Sequence, residues 1–373
     1  MFIENIKLLN FRNYEELHIN FSNKINCFLG DNGAGKTNLL DAVYYLSLTK
    51  SAFNSKDIQN ISFGNDFFSI KGEFKIVNRR HQVICSFNKG KKKLFQTDNQ
   101  DYGKLSEHIG RFPLVLIAPN DTDIIRDHSE ARRKFFDGII SQMSKTYLND
   151  LLNYKQVLKQ RNALLKQFAE KKLIDEDLLT PYNLKMVSFG KDIFNERRKF
   201  LKRYLPVFTE HYRQLSDDSE EVTIRYESDL LKEYTSDTLL KNLNRDILLQ
   251  RTSSGIHRDD YKFEISGRQL KRYGSQGQQK SFLIALKMAQ FVLIKREKKF
   301  NPILLLDDIF DKLDENRIGK LLNMVSGKSF GQLFITDARA ERTKALLESY
   351  DFPAKYFVIE NNVINNLGPV NEK

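Results

Sequence analysis

The sequence predicts an α/β fold in which a strand-rich head is interrupted by an α-helical arm, packed as a second lobe. Three observations carry this. A strand-like run passes through a glycine-rich loop into a helical pattern over 25–46. A second apolar run, far along the chain, ends in Asp307-Asp308. Between about 128 and 215 the strand signal disappears and three–four spacing of apolar residues replaces it. The expected organisation is an N-terminal half of the head over 1–127, the arm over 128–215 and a C-terminal half of the head over 216–373.

A chain of 373 residues can bury a large core and fill roughly two lobes. It carries 60 Lys+Arg against 48 Asp+Glu, a net +12. That surplus suits a polyanion, either nucleic acid or an acidic membrane surface, although lysine-rich surfaces also serve solubility. Cys27 and Cys85 sit in apolar, strand-like contexts without partner spacing, so buried thiols in a reducing cytoplasm are expected. "MFIENIKLLNF" alternates like a strand, so no signal peptide is expected. Runs such as "FPLVLIA" fall far short of a membrane span.

The first head element is "KINCFL", a β-branched and aromatic run. It leads into Gly30-Asp31-Asn32-Gly33-Ala34-Gly35-Lys36-Thr37, and Leu39, Leu40, Val43, Tyr44 and Leu46 then follow a helical pattern. Strand, glycine loop, helix is the context a P-loop requires. Glycines let the backbone N–H groups point at phosphate oxygens, and the helix N-terminus adds its dipole. In that setting Lys36 reaches the β- and γ-phosphates of ATP and the Thr37 hydroxyl ligates Mg2+.

The second magnesium ligand comes from "NPILLLDDIFDKLDENR". Ile303–Leu306 reads as a strand buried on both faces, ending where open α/β sheets bind ligands. Asp307 is the Mg2+-side carboxylate, and Asp308 is placed to polarise an attacking water. Just upstream, Ser275-Gln276-Gly277-Gln278-Gln279 opens a long amphipathic helix. A hydroxyl, bare N–H groups and a dipole there make a second anion site, or else a plain N-capped core helix. In this order the three segments resemble the ABC-type ATPases, in which the signature helix of one subunit closes on the γ-phosphate held by its twin. "DKLDENR" then resembles the D-loop, with Leu313-Asp314, and "QLFITDAR" the strand leading to the switch position, where Thr336 or Asp337 replaces the usual histidine.

Within that class the chain resembles the RecF family of bacterial DNA replication and repair proteins. The resemblance rests on "NIKLLNFRNYEELHINF", "GDNGAGKTNLLDAVYYLSLTKS", "LIAPNDTDIIRDHSEARRKFFD", "LKQRNALLK", "SGIHRDDYKFEISGR" and "SQGQQKSFLIALKMAQ", which together span nearly the whole chain. Asp41, Lys50 and Ile256 are mild departures, standing where glutamate, arginine and proline are commoner. The resemblance implies a cytoplasmic ATP-binding protein with an SMC-like head. It would bind single-stranded or gapped DNA without regard to sequence and dimerise on ATP. It would work with RecR and RecO to help load recombinase, with a role in SOS induction.

Strand-like segments are expected at 2–8, 15–21, 25–29, 67–76, 81–87 and 113–118, and again near 223–228, 261–265, 303–307, 332–336 and 355–364. "NKGKKKLF" reads as a hairpin turn with Lys89, Lys91, Lys92 and Lys93 exposed. In the arm, Leu151, Tyr154, Leu158, Arg161, Leu165 and Phe168 line one helix face. Ile193, Phe200, Leu201, Tyr204, Leu205 and Phe208 mark a second helix, ended or kinked near Pro206. Such a hairpin is too short for a reaching coiled coil. Arg197, Arg198, Lys199, Lys202 and Arg203 on one helix, and Lys155, Lys159 and Lys166 on the other, are the candidate phosphate contacts or simply solvated faces.

Two other functions compete. The nucleotide-binding subunit of an ABC transporter shares the motif order, but the arm's length, Asp308 in place of glutamate and the His257-Arg258-Asp259-Asp260 stretch disfavour it. A structural clamp that binds ATP without turnover differs only through Asp308. A carboxylate shorter than Glu holds water less well, so slow, DNA-stimulated hydrolysis is the expectation.

Overall fold

The computed structural model describes residues 1–172, 174–216, 220–232, 234–310, 314–326, 330–350, 353–360 and 363–369. The chain divides into two compact units. The head unit comprises Met1–Thr122, His211–Asp217 and Lys280–Lys373; the arm unit comprises Asp123–Glu210 and Asp218–Gln279. The stretch Asp218–Gln279, expected in the C-terminal half of the head, therefore clusters with the arm.

The head contains a six-stranded sheet in the order Val363–Pro369, Ala354–Glu360, Ile25–Leu29, Leu333–Asp337, Ile303–Asp307, Leu114–Ile117. All neighbours are parallel except the first pair, which is antiparallel. Every residue of Ile25–Leu29, Leu333–Asp337 and Ile303–Asp307 is buried, as continuous apolar strands require. Phe28 stacks between Phe357 and Phe334, at 4.8 and 6.1 Å between ring centroids. Leu333–Asp337 separates the glycine-loop strand from the Asp-Asp strand and pairs Thr336 with Asp307. All three strands end at the same edge, where a ligand can enter.

A second, antiparallel sheet runs Tyr14–Asn20, Phe2–Phe11, Phe67–Ile76, Arg79–Asn88, Leu94–Thr97, Gln100–Asp101. Its inner residues, including Ile6, Leu8, Phe68, Ile70 and Val83, share one core with Leu39, Val43 and Leu46 of the helix Lys36–Leu48. Cys27 and Cys85 are buried free thiols, and burial pushes both thiols up. The turn at 89–93 forms as expected, except that Lys93 points inward. Its ammonium donates to Tyr45 Oη and the Thr49 carbonyl and pairs with Asp57. The helix Gln276–Lys298 is buried on nearly every side between Ser281 and Ile294, which corrects the amphipathic reading.

The arm unit packs the helices Ser129–Met143, Lys145–Lys171 and residues 180–210 of the helix Thr180–Ser216 with a three-stranded antiparallel sheet, Val222–Glu227, Asp260–Ile265 and Arg268–Gln269. Phe136 stacks on Tyr261 at 4.1 Å and meets Tyr204 edge-on. The helix does not end at Pro206. It runs on to Ser216, because the burial of Tyr204, Phe208 and Tyr212 outweighs one lost backbone bond.

Two arginines lie inside this unit. Arg161 is fully buried and donates to Asn183, Asp246 and Thr252 at 2.7–2.8 Å. Arg197 is 1% exposed, donating to Asp137, Asp259 and the Ile256 carbonyl at 2.7–3.0 Å. Arg197 is therefore not a surface phosphate contact, because its guanidinium neutralises two buried carboxylates. The stretches Gln160-Arg161-Asn162 and His257–Asp260 serve the same interior. Asn162 accepts from Thr252, and His257 Nδ1 meets Tyr154 Oη at 2.9 Å. Arg132 pairs with Asp260 at 2.8 Å.

Candidate nucleotide-binding site

The loop after Ile25–Leu29 is shaped by three glycines in backbone conformations that side chains avoid. At Gly30 (φ +148°) a Cβ would stand 2.3 Å from the Ile359 carbonyl oxygen. At Gly35 (φ +109°) it would stand 2.4 Å from Asn13 Nδ2 and 2.8 Å from Tyr14 Oη. Gly33 (φ +87°) differs, with no atom within 4 Å of that position, so the loop is closed behind and open in front. Gly35 caps the helix Lys36–Leu48, whose first N–H groups face the loop. Lys36 is nearly buried, and its ammonium donates to the Gly30 and Asp31 carbonyls at 2.8 and 2.9 Å. Asp31, Asn32 and Ala34 complete the turn, with the Ala34 N–H donating to the Asp31 carbonyl.

Thr37 meets the distant carboxylate. Its hydroxyl donates to Asp307 Oδ1 at 2.9 Å, with Oδ2 at 3.1 Å. Thr336 donates to the same Oδ1 at 2.8 Å and accepts the Asp308 N–H at 2.9 Å. Burial is the main cause that holds the Asp307 carboxyl above its ordinary range, and the two threonine hydroxyls oppose it. A hydroxyl and a buried carboxylate side by side form an oxygen-donor pair suited to a hard divalent cation. The open loop at Gly33 has the room and the N–H groups a phosphate chain needs.

The register distinguishes Thr336 from Asp337. Adjacent strand residues face opposite sides, and it is Thr336 that turns to Asp307. Asp337 turns away to cap the following helix, accepting from the Arg339 N–H and the Thr343 hydroxyl. Asp308 follows in the left-handed region at φ +51°, with its N–H fixed by Thr336.

Ser275, Gly277 and Gln278 belong to the arm unit. The Ser275 N–H donates to Gln278 Oε1 at 2.6 Å and the Gln278 N–H donates to Ser275 Oγ at 3.2 Å. This is a reciprocal capping box, so the plain capped-helix reading of those two side chains is satisfied. The Gln276 and Gly277 N–H groups and the helix dipole are what remains to meet an anion. In the D-loop-like stretch, Leu313 lies outside the described residues. Asp314 caps the helix Glu315–Ser326 through the Arg317 N–H.

Sequence reasoning missed the support behind the loop. Arg12 donates to Asp41 at 2.5 Å, Asn38 at 3.1 Å and Ser51 at 3.0 Å. Asp41 also accepts from Ser51 Oγ and the Ala52 N–H, so its shorter side chain is fully employed. Asn13 accepts from Asn38, and Tyr14 donates to the Gly35 carbonyl. No periodic signal marks Arg12, which sits in a two-residue turn between strands.

The family model described as the RecF/RecN/SMC N terminal domain matches residues 2–352. The DNA replication and repair protein RecF of Flavobacterium johnsoniae is 48% identical over 357 residues, 96% of this chain and 99% of that protein. The RecF of Cytophaga hutchinsonii is 47% identical, covering 99% and 98%. Solved structures of the recombination mediator protein RecF of the RecFOR pathway, one with ATP and one with ATPrS, superpose with TM-scores of 0.88 at 28% identity, each covering 98% of both chains. An Smc head bound to the C-winged helix domain of ScpA shares the fold, with a TM-score of 0.60 at 15% identity over 100% and 98% of the two chains. Relatives matched along their whole length are repair proteins, and the transporter-subunit alternative is not favoured.

Proposed function

Because the chain belongs to the RecF family of DNA replication and repair proteins, we propose that it is an ATP-binding repair protein whose nucleotide controls dimerisation on DNA. One observation carries the reading: Thr37 and Asp307 meet at 2.9 Å beside a loop open at Gly33. ATP would lie along Gly30, Asp31, Asn32, Gly33, Ala34, Gly35 and Lys36, with Mg2+ held by Thr37 and Asp307. Bound Mg2+ supplies charge neutralisation at the phosphates. Lys36 leaves its two carbonyls to neutralise the β- and γ-phosphates, and Asp308 orients and polarises water. Its short side chain makes hydrolysis slow, as a timing switch needs.

The second phosphate contact comes from a two-fold partner, through the helix start at Ser275, Gly277 and Gln278. Each chain then offers both halves of two sandwiched nucleotides, and ATP favours the dimer by its differential affinity. The dimer binds single-stranded or gapped DNA without regard to sequence, in the cytoplasm. It acts with RecR and RecO to help load recombinase, and in SOS induction, without a membrane. Among the described residues no helix is long and apolar enough to cross one.

Light scattering with and without ATP tests the composite site. Ser275→Arg places a bulky cation at the helix start and should abolish ATP-dependent dimerisation while ATP binding persists. Ser275→Ala controls for loss of the cap, about 1 kcal/mol. Asp308→Asn should bind ATP, dimerise and remain closed. Dimerisation of Ser275→Arg, or parental hydrolysis by Asp308→Asn, contradicts the scheme.

A further inference from the structure

The antiparallel sheet of the head buries one face against the helix Lys36–Leu48, and its other face carries an unusual row. The register sets Lys7 between His18 and Lys71 on neighbouring strands. Lys7 and His18 are exposed and Lys71 is half-buried. Among the described residues, neither lysine has a carboxylate in ion-pairing reach. Like charges directly opposite one another cost a sheet stability. The next row places Leu9, 40% exposed, opposite Ser69, and Ser69 opposite Ser86.

At that end of the face the lysine turn adjoins Phe67, and Phe63 lies four residues before it in the connecting turn. Phe67 pairs with Asn88, and the Lys89 N–H donates to the Asp66 carbonyl at 2.8 Å. Lys89, Lys91 and Lys92 are all exposed there. Phe63 stands at the tip of a turn pinned to the sheet by the Ser62 N–H on the Asn10 carbonyl at 2.9 Å. Phe63 is 103% exposed, the most exposed large apolar residue among the described residues of the head. The acidic groups on this side include Glu16, Asp66, Asp101, Glu4, which pairs with Arg80 at 2.7 Å, and Glu73, which accepts from Asn5 at 2.9 Å; they stand against Lys7, Lys71, Lys75, Arg80 and the exposed lysines of the turn. Cations therefore outnumber them, and they border exposed aromatic rings.

An apolar patch rimmed by unpaired lysines fits a polyanion with flat apolar faces. We propose that this outer face is a platform for single-stranded DNA. Phosphates follow Lys7, Lys71 and the turn at Lys89–Lys92, and bases stack on Phe63 and Phe67. The proposal rests on the reading of the chain as a DNA-binding protein and assigns it a surface. On the long arm helix the ring under Arg198 is Phe194, which is buried and closed to a base.

The chain contains no tryptophan, so Phe63→Trp installs a sole indole at an exposed position. Its emission is followed beside the anisotropy of a labelled oligothymidylate, with ATP and Mg2+ present. Quenching of the indole that saturates together with the anisotropy is expected. Phe63→Ala should weaken binding about fivefold or more while leaving the salt dependence unchanged. Lys7→Gln with Lys71→Gln should reduce the slope of log affinity against log salt by about 1.4. The thermal midpoint of that pair should be unchanged or raised, since the repulsion is relieved. If anisotropy reports binding while the indole stays silent, the strand lies elsewhere and the platform is overturned, with DNA binding intact. Quenching that follows protein concentration without DNA makes the occupant a second copy and also overturns it. If the parental chain binds no oligothymidylate, both readings fall.

Discussion

The head and the arm unit each gather polar side chains into a tight group, and the two groups are finished differently. Around Arg161 and Arg197 every charge meets another inside the protein, at 0–1% exposure of the guanidinium groups. Around Gly30–Thr37 Arg12, Asp41 and Tyr14 support the loop from behind, but the front at Gly33 is left open. Charged residues in a motif thus say little about function by themselves. Both groups satisfy their side chains internally, and what separates the glycine loop from the arm network is the open space in front of its backbone at Gly33.

That contrast can be broken or sharpened experimentally. The largest effect should come from Arg161→Ala, which strands the Asp246 carboxylate in the interior. Removing one partner of a buried pair costs about 3–5 kcal/mol, to be read from chemical denaturation. A loss below about 1 kcal/mol would show that the network is not closed. Acid comes next. Burial pushes His108 in the head and His257 in the arm unit down to about 4. The unfolded chain takes up these protons near pH 6.5 and the folded chain does not. Stability is therefore fully present above about pH 6.5 and falls as pH drops towards 4, by about 3 kcal/mol for each histidine. Both units should lose protection from hydrogen exchange over this window, and a flat stability profile from pH 7 to 4.5 would count against buried neutral imidazoles.

Lys36→Ala should lower ATP affinity at least tenfold, about 1.4 kcal/mol, with much less loss of stability than Arg161→Ala. Its two carbonyl partners lie in a loop that water can reach. Equal damage to folding and binding would make the loop another structural network. Smallest of all is Arg198→Ala, on the exposed face beside Arg197, which should change stability by no more than about 0.5 kcal/mol. Measured together, Arg197 and Arg198 give adjacent arginines with opposite fates.

Much of this was legible in advance. Strands buried on both faces announce themselves as apolar runs, and a glycine loop between strand and helix constrains its own geometry. The fate of Arg197 was also written in the chain. It falls on the stripe formed by Ile193, Phe200, Leu201 and Tyr204, as Arg161 falls on that of Tyr154 and Leu165. Reading the cluster as a charged face ignored that period. Thr336 against Asp337 could not be decided without the register, since one residue's slip exchanges the two faces. Arg12 on Asp41 and the lysine row at Lys7 and Lys71 depend on contacts 29 and 64 residues apart in sequence, which no local pattern encodes.

The strand order of the head also carries a consequence for synthesis. Among the described residues, Ile25–Leu29 pairs only with Leu333–Asp337 and Ala354–Glu360. The strand that launches the glycine loop therefore leaves the ribosome about 300 residues before its first neighbour in the sheet, roughly half a minute at ordinary elongation rates. Throughout that interval its two apolar faces and both edges are unclaimed, and so is the edge of Leu114–Ile117, which waits for Ile303–Asp307. The nascent chain must carry them shielded, by the antiparallel sheet that can close early or by a holding chaperone. Slowed translation of the last fifth of the gene should cost soluble yield more than the same delay placed before residue 100.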